Sequence, residues 1–266
     1  KHPYTKKTKR IIVTPDTFHT IVFWSKNFAP LIEKKLPAKL LEMGFNLYFN
    51  FTVNSENSTL EPGLPPLELR LKQFEKLNEF ISPDSVAWRF DPVCFYKDDG
   101  SGPETSNLTH FQTIASAAAD AGIKKCVTSF YDPYTKIDRR LKKYRKANNT
   151  GLELIIPPLE KKRTIISNMA CNLRQLGIDL HLCCEKKLFL ALDPDTAVRQ
   201  NACIDGRLFE RQTGTSCVKK RDYGQRSKKG CQCTQSVDIG SYDDHPCYHN
   251  CIFCYANPSM DRTNPE

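Results

Sequence analysis

Apolar residues along this chain alternate between two patterns. Residues 20–24, 46–53, 85–91, 125–131 and 179–184 form short runs rich in aromatic and branched side chains, and these predict strands. Between them, residues 29–43, 66–81, 110–121 and 158–176 carry apolar positions at helical spacing. In the last, Ile165, Ile166, Met169, Leu173 and Leu176 recur on one face. Pro65, Pro66, Pro157 and Pro158 precede helices, where a missing N–H costs little. Such βαβ repetition predicts an α/β fold with a mainly parallel sheet, here a partial (β/α) TIM-like barrel. The pattern divides the chain into a basic segment over 1–18, the barrel body over 19–200 and a cysteine-rich segment over 201–266.

In parallel sheets of this kind the chemistry sits where strands end. The strand ends here carry Lys26, Arg89, Asp91 and Ser129. Arg89 and Asp91, two apart, share one face of their strand. Together these groups are candidates for binding a zwitterionic cofactor. The competing assignment is a buried ion pair with turn residues.

Twelve cysteines shift the picture from fold to metal chemistry, because seven of them lie from Cys203 onward. A disulfide scaffold spreads its cysteines through a small loop-rich domain, whereas these cluster behind a long α/β body. Cys247-Tyr-His-Asn-Cys251-Ile-Phe-Cys254 is the sharpest motif: three closely spaced thiolates can hold one iron–sulfur cubane and leave an iron open to a ligand. Structural zinc, closed by His245, His249 or another cysteine, is the alternative. A second set, Cys184, Cys203, Cys231 and Cys233, could close a four-thiolate site for zinc or a second cluster. Cys94, Cys126, Cys171, Cys183 and Cys217 read as buried or incidental thiols.

The net charge of +9 favours polyanions, which admits nucleic acid as a partner. Its basic runs, at 6–10, 139–146, 161–163 and 219–221, also read as solubilising surface. No run approaches membrane-spanning length and the basic start lacks an apolar signal core, so the expectation is a cytoplasmic protein in a reducing compartment, with no membrane partner.

Several segments together resemble a known family: residues 21–27 (IVFWSKN), 88–92 (WRFDP), Cys184-Glu185, Cys203-Ile-Asp205, and residues 231–240 (CQCTQSVDIG) leading to the cysteine triad and Tyr255-Ala-Asn257. The resemblance, over nearly the whole chain, is to an uncharacterised, mainly bacterial domain family grouped with spore photoproduct lyase and radical S-adenosylmethionine proteins. It implies a [4Fe-4S] cluster on Cys247, Cys251 and Cys254, and S-adenosylmethionine bound at the open iron through its amino and carboxylate groups. A reducing electron donor would drive cleavage to a 5′-deoxyadenosyl radical, with no substrate assigned. Two departures stand out: the triad follows the strands, as in a permuted barrel, and the sequence starts downstream of the family's first strand, which implies an incomplete barrel. The rival class is a non-catalytic zinc- or iron–sulfur-binding module that contacts nucleic acid or protein.

Overall fold

The computed structural model describes residues 10–224, 226–240 and 246–256. The basic run from Lys6 to Lys9, His245 and Asn257 lie outside the described residues. The strands are β1 (Thr20–Ser25), β2 (Asn46–Thr52), β3 (Val86–Val93), β4 (Phe95–Lys97), β5 (Thr105–Ser106), β6 (Lys125–Phe130), β7 (Glu153–Ile155), β8 (Asp179–Leu182) and β9 (Arg199–Gln200). The helices are α1 (Ala29–Glu33), α2 (Leu36–Glu42), α3 (Leu67–Asn78), α4 (Phe111–Asp120), α5 (Thr135–Asn148), α6 (Leu159–Gln175), α7 (Lys186–Ala191) and α8 (Gly206–Thr213).

Six strands form one sheet in the order β1-β2-β3-β6-β8-β9, and every neighbouring pair is parallel. The fold is therefore mixed α/β with a mainly parallel sheet. Among the described strands neither sheet closes on itself. Because the order follows the chain, successive right-handed crossovers carry their helices to the same face. On that face Phe49, Phe51, Trp88, Phe90, Cys126, Leu180 and Leu182 pack against Phe74, Ile114, Met169 and Leu173 of α3, α4 and α6.

Strand alternation sends the intervening residues to the other face. There Tyr48, Ala87 and Val127 meet Phe209 of α8 in a small apolar cluster. The rest of that face is polar: Asn50, Arg89, Asp91 and Ser129 hydrogen-bond to groups on it. A second, antiparallel sheet, β5-β4-β7, and α5 frame another core of Leu60, Tyr96, Tyr131, Ile137, Leu141 and Leu152.

One expectation needs correction. The single helix over 29–43 is broken: Lys35, at φ 49°, takes the left-handed conformation between α1 and α2, and Pro37 starts the second helix in its first turn. The basic run over 139–146 lies on α5, which buries Ile137 and Leu141 and exposes Arg139, Lys142, Lys143 and Lys146. No described helix is long and apolar enough to cross a membrane.

Candidate functional site: two thiol groups at one sheet edge

The C-terminal ends of the parallel strands carry a continuous polar network. Lys26, just past β1, pairs with the buried Glu61 at 2.5 Å, and its ammonium lies 5.3 Å from the centre of the Phe253 ring. The other Glu61 oxygen accepts from Asn54 Nδ2 at 3.2 Å, and Asn54 Oδ1 accepts from the Asp91 N–H at 2.9 Å. Asp91 binds Arg89 at 2.5 Å through one oxygen and accepts the Ser129 hydroxyl through the other. Arg89 also donates to the Cys203 sulfur at 3.0 Å. The four strand-end residues singled out from the sequence are thus in one place. Arg89, Asp91 and Ser129 satisfy one another as a buried polar cluster, which matches the ion-pair assignment.

The triad segment docks beside Lys26. Ile252 and Phe253 insert into the second core, and the Ile252 N–H donates to the Leu60 carbonyl at 2.9 Å. Arg140, on α5, gathers the loop by donating to the carbonyls of Cys251 and Ile252 at 3.3 Å each, and to that of Cys254. Cys251 is buried, its sulfur 3.6 Å from Glu61 Oε1, and it interacts electrostatically with both Cys247 and Cys254. Burial pushes the Cys247 and Cys251 thiols up, with Lys26 among the groups pulling the other way. Burial likewise opposes the Lys26 charge, but Glu61 and Cys251 outweigh it and its pKa is raised.

The approach of loop to body is tight at Gly63, whose N–H donates to the His249 carbonyl at 3.0 Å. A Cβ at Gly63 would stand 2.2 Å from the Tyr248 carbonyl oxygen. Gly63→Val should therefore undock the triad loop at a cost of about 1–3 kcal/mol, which raises its opening by roughly 5- to 150-fold. Alkylation of Cys251, followed by peptide mass spectrometry, reads that opening. An unchanged rate would show that the contact does not hold the loop.

The second set also converges, and it contains a residue the sequence set aside. Cys231 interacts electrostatically with Cys184 and Cys233, and Cys233 with Cys203. The Cys203 N–H donates to the Cys233 sulfur at 3.2 Å. Cys183, read as a buried or incidental thiol, packs with the apolar cluster of Phe209 and also lies 3.8 Å from the Cys184 sulfur and 3.6 Å from the Cys203 sulfur. Consecutive strand residues normally face opposite ways. Cys184 has φ 60°, and this left-handed turn after β8 lets both thiols reach the same group. Hydrogen bonds with Cys183 and Cys233, aided by Arg89, hold the Cys203 thiol well below its ordinary range despite burial. Bonds with Cys184 and Cys233 bring Cys231 down to about 3. The partners rise: Cys184 through Cys183 and Cys231, Cys233 through Cys203 and Cys231.

Cys94 and Cys126 are buried, Cys171 is exposed and Cys217 is partly buried against the Phe209 cluster. Glu61, Asn54 and Arg140 had no signal in the sequence, since each lies in a loop or basic run whose partner is distant along the chain. Among the described residues no three Cys, His, Asp or Glu side chains are closed around one point as the ligands of a bound ion are. A cavity of about 240 Å³ opens at the opposite sheet edge, lined by Thr20, Asn46, Ser85 and Gln212, away from both thiol groups.

A joint connects the two cysteine segments. Tyr255 packs on Tyr134 with ring centres 5.4 Å apart, while Arg226 and Lys229 lie 5.9 and 5.6 Å from the Tyr134 ring and both pair with Asp132. No curated protein matches the chain. A family model described as a domain of unknown function, DUF1848, matches residues 1–256, and the chain belongs to that family.

Proposed function

We propose that this chain is an iron–sulfur protein of radical S-adenosylmethionine type, with Cys247, Cys251 and Cys254 as the ligands of a [4Fe-4S] cluster. The observation that carries this reading is the seating of the three-thiol loop at the C-terminal edge of the parallel sheet, against the Lys26–Glu61 pair. Three thiols beside an ammonium suit an anionic cluster with one iron left open. Sequential strand order is also that of a partial (β/α) barrel, whose reactive groups collect at this edge.

A bound cluster would supply the electron that cleaves S-adenosylmethionine to methionine and a 5′-deoxyadenosyl radical. The chain's own residues do the rest. Arg140 fixes the loop carbonyls, so the three sulfurs stay in register. Ile252 and Phe253 seal the inner side of the loop from water. Lys26 offsets thiolate charge and offers a cation beside the triad for a carboxylate; Glu61 offers an acceptor for an ammonium. Arg89 is committed to Asp91 and Cys203, which moves the cofactor-facing role from Arg89 to Lys26. A reducing protein partner would deliver the electron. The basic face of α5, with Lys136, Arg139, Lys142, Lys143 and Lys146 exposed, supports nucleic acid as the substrate class.

Anaerobic reconstitution with iron and sulfide tests the reading. The protein should bind about four irons and four sulfides at the triad, and it should release methionine and 5′-deoxyadenosine after chemical reduction. The Cys251→Ser variant should lose both. Equal iron in Cys251→Ser and in the unaltered protein would remove the cluster from the triad. A loaded cluster that yields no 5′-deoxyadenosine would leave iron–sulfur binding and remove the radical chemistry.

A further inference from the structure

The polar face of the sheet holds a group of sulfurs that the triad chemistry does not use. We propose that Cys184, Cys203, Cys231 and Cys233 bind one zinc ion in a closed, structural four-thiolate site, separate from the triad. The proposal does not depend on the radical reading.

Three segments far apart in sequence supply these thiols: the turn just past β8, the loop after β9 and the C-x-C segment. The C-x-C pair works as a clamp: the Cys233 sulfur accepts the Cys203 N–H at 3.2 Å, and Cys231 interacts electrostatically with Cys184. Cys183 is the fifth thiol of the ring, but it packs with the apolar cluster of Tyr48, Ala87, Val127 and Phe209. That leaves four thiols for a tetrahedral ion. Sulfurs around zinc, at bonds of about 2.3 Å, lie about 3.8 Å apart. The sulfurs of Cys184 and Cys203 lie 3.8 and 3.6 Å from that of Cys183, the spacing of thiols around a single ion, whereas a cubane would stand between its ligands and hold them apart.

The surroundings of Cys203 are an independent pointer. Its sulfur receives Arg89 Nη1 at 3.0 Å and Asn201 Nδ2 at 3.1 Å, while its carbonyl receives Asn50 Nδ2 at 3.2 Å. Asn50 and Asn201 are each 1% exposed, and among the described residues their Oδ1 atoms have no partner. The Asn201 carboxamide is thus turned nitrogen-first toward the sulfur at the expense of its oxygen, a desolvation cost, while Asn50 fixes the backbone carbonyl of the same residue. A neutral thiol is a weak acceptor and does not repay it. A metal-bound thiolate does, because N–H donors around a ligand sulfur stabilise its charge and orient it. The positive φ of Cys184 is a further local cost tied to this one arrangement.

The site also has a mechanical rationale. Among the described residues from Lys219 to Gly240 there is little regular structure; the Thr234 N–H to Ile204 O bond at 2.9 Å ties the segment to the body, and the Asp222 N–H to Cys233 O bond at 2.9 Å closes it on itself. An ion shared with β8 and the loop after β9 would fasten it to the sheet.

The test uses the full chain carrying Cys247→Ser, Cys251→Ser and Cys254→Ser, so that metal bound there cannot come from the triad. Equilibrated with zinc and desalted, it should hold one equivalent per chain, and cobalt(II) in place of zinc should give the ligand-field spectrum of a tetrahedral tetrathiolate. Adding Cys231→Ser should abolish both signals, while adding Cys183→Ser should keep them. Because Cys231→Ser could fail to fold, chelation of zinc from the unaltered protein supplies a second reading: the melting temperature should fall and return on zinc addition. A folded triad variant with no bound zinc, full stoichiometry in Cys231→Ser, loss of the metal in Cys183→Ser, or iron and sulfide in place of zinc would each overturn the assignment.

Discussion

Replacing Asp91 with alanine is expected to destabilise the protein by about 3–5 kcal/mol, because it strands a buried guanidinium. Arg89 is only 6% exposed, and among the described residues Asp91 is its one carboxylate partner. The same change removes the acceptor of the Ser129 hydroxyl and the side chain beside the Asn54 contact. Arg89 keeps its bond to Cys203, which places the effect toward the lower end of that range. Denaturant unfolding measures the loss. The double variant Arg89→Met/Asp91→Ala should be more stable than Asp91→Ala alone, since no charge is then left unpaired, with a coupling of about 0.5–3 kcal/mol. Additive effects would show that the two side chains do not act as a pair. Zinc content at the second thiol group is a separate readout: it should fall in Arg89→Met, which deprives the Cys203 sulfur of a donor.

The second large effect lies on the opposite face of the same strand. Trp88 is fully buried, donates Nε1–H to the Val53 carbonyl at 3.0 Å, and packs on Phe111 with ring centres 5.5 Å apart and edge-on to Phe90 at 6.2 Å. Trp88→Ala should cost about 3–5 kcal/mol, the usual range for a large aromatic deleted from a core. Trp88→Phe keeps much of the ring packing and loses the hydrogen bond, so it should cost about 1–3 kcal/mol. Because Trp88 points to the helices, metal binding at either thiol group should be unchanged at temperatures where the variant remains folded. A change in metal binding by Trp88→Phe would mean that the two faces of β3 are coupled.

Those two faces show where the sequence was legible. On β3, Val86, Trp88 and Phe90 alternate with Ala87, Arg89 and Asp91, so both the strand and the shared face of Arg89 and Asp91 follow from period two. The long apolar periodicities of α3, α4 and α6 were readable for the same reason, because burial against one sheet imposes one stripe. The elements that frame the triad were not. β4, β5 and β7 are two or three residues long, and α5 is so basic that its buried Ile137 and Leu141 stand nearly alone. They share a core with Ile252 and Phe253, far away in sequence. Within the sites, cysteine spacing pointed to the groups, but Cys183 was hidden by strand alternation itself: a neighbour of Cys184 should face away, and only the left-handed turn at residue 184 reverses that. Glu61 was hidden because its partners, Lys26 and Cys251, come from either end of the chain.

The order in which these parts leave the ribosome differs from the order in which they are needed. All six strands of the main sheet are complete before Cys231 is made, and Cys251 comes later still. At about 5–20 residues per second, the thiols of Cys184 and Cys203 wait seconds for the clamp that covers them. During that interval they stand together on a finished sheet edge, beside Cys183, where an oxidant would find neighbouring sulfurs ready to couple. Translation speed and cellular thiol poise, as much as the folded contacts, therefore govern how many chains reach the state in which both sulfur groups are assembled.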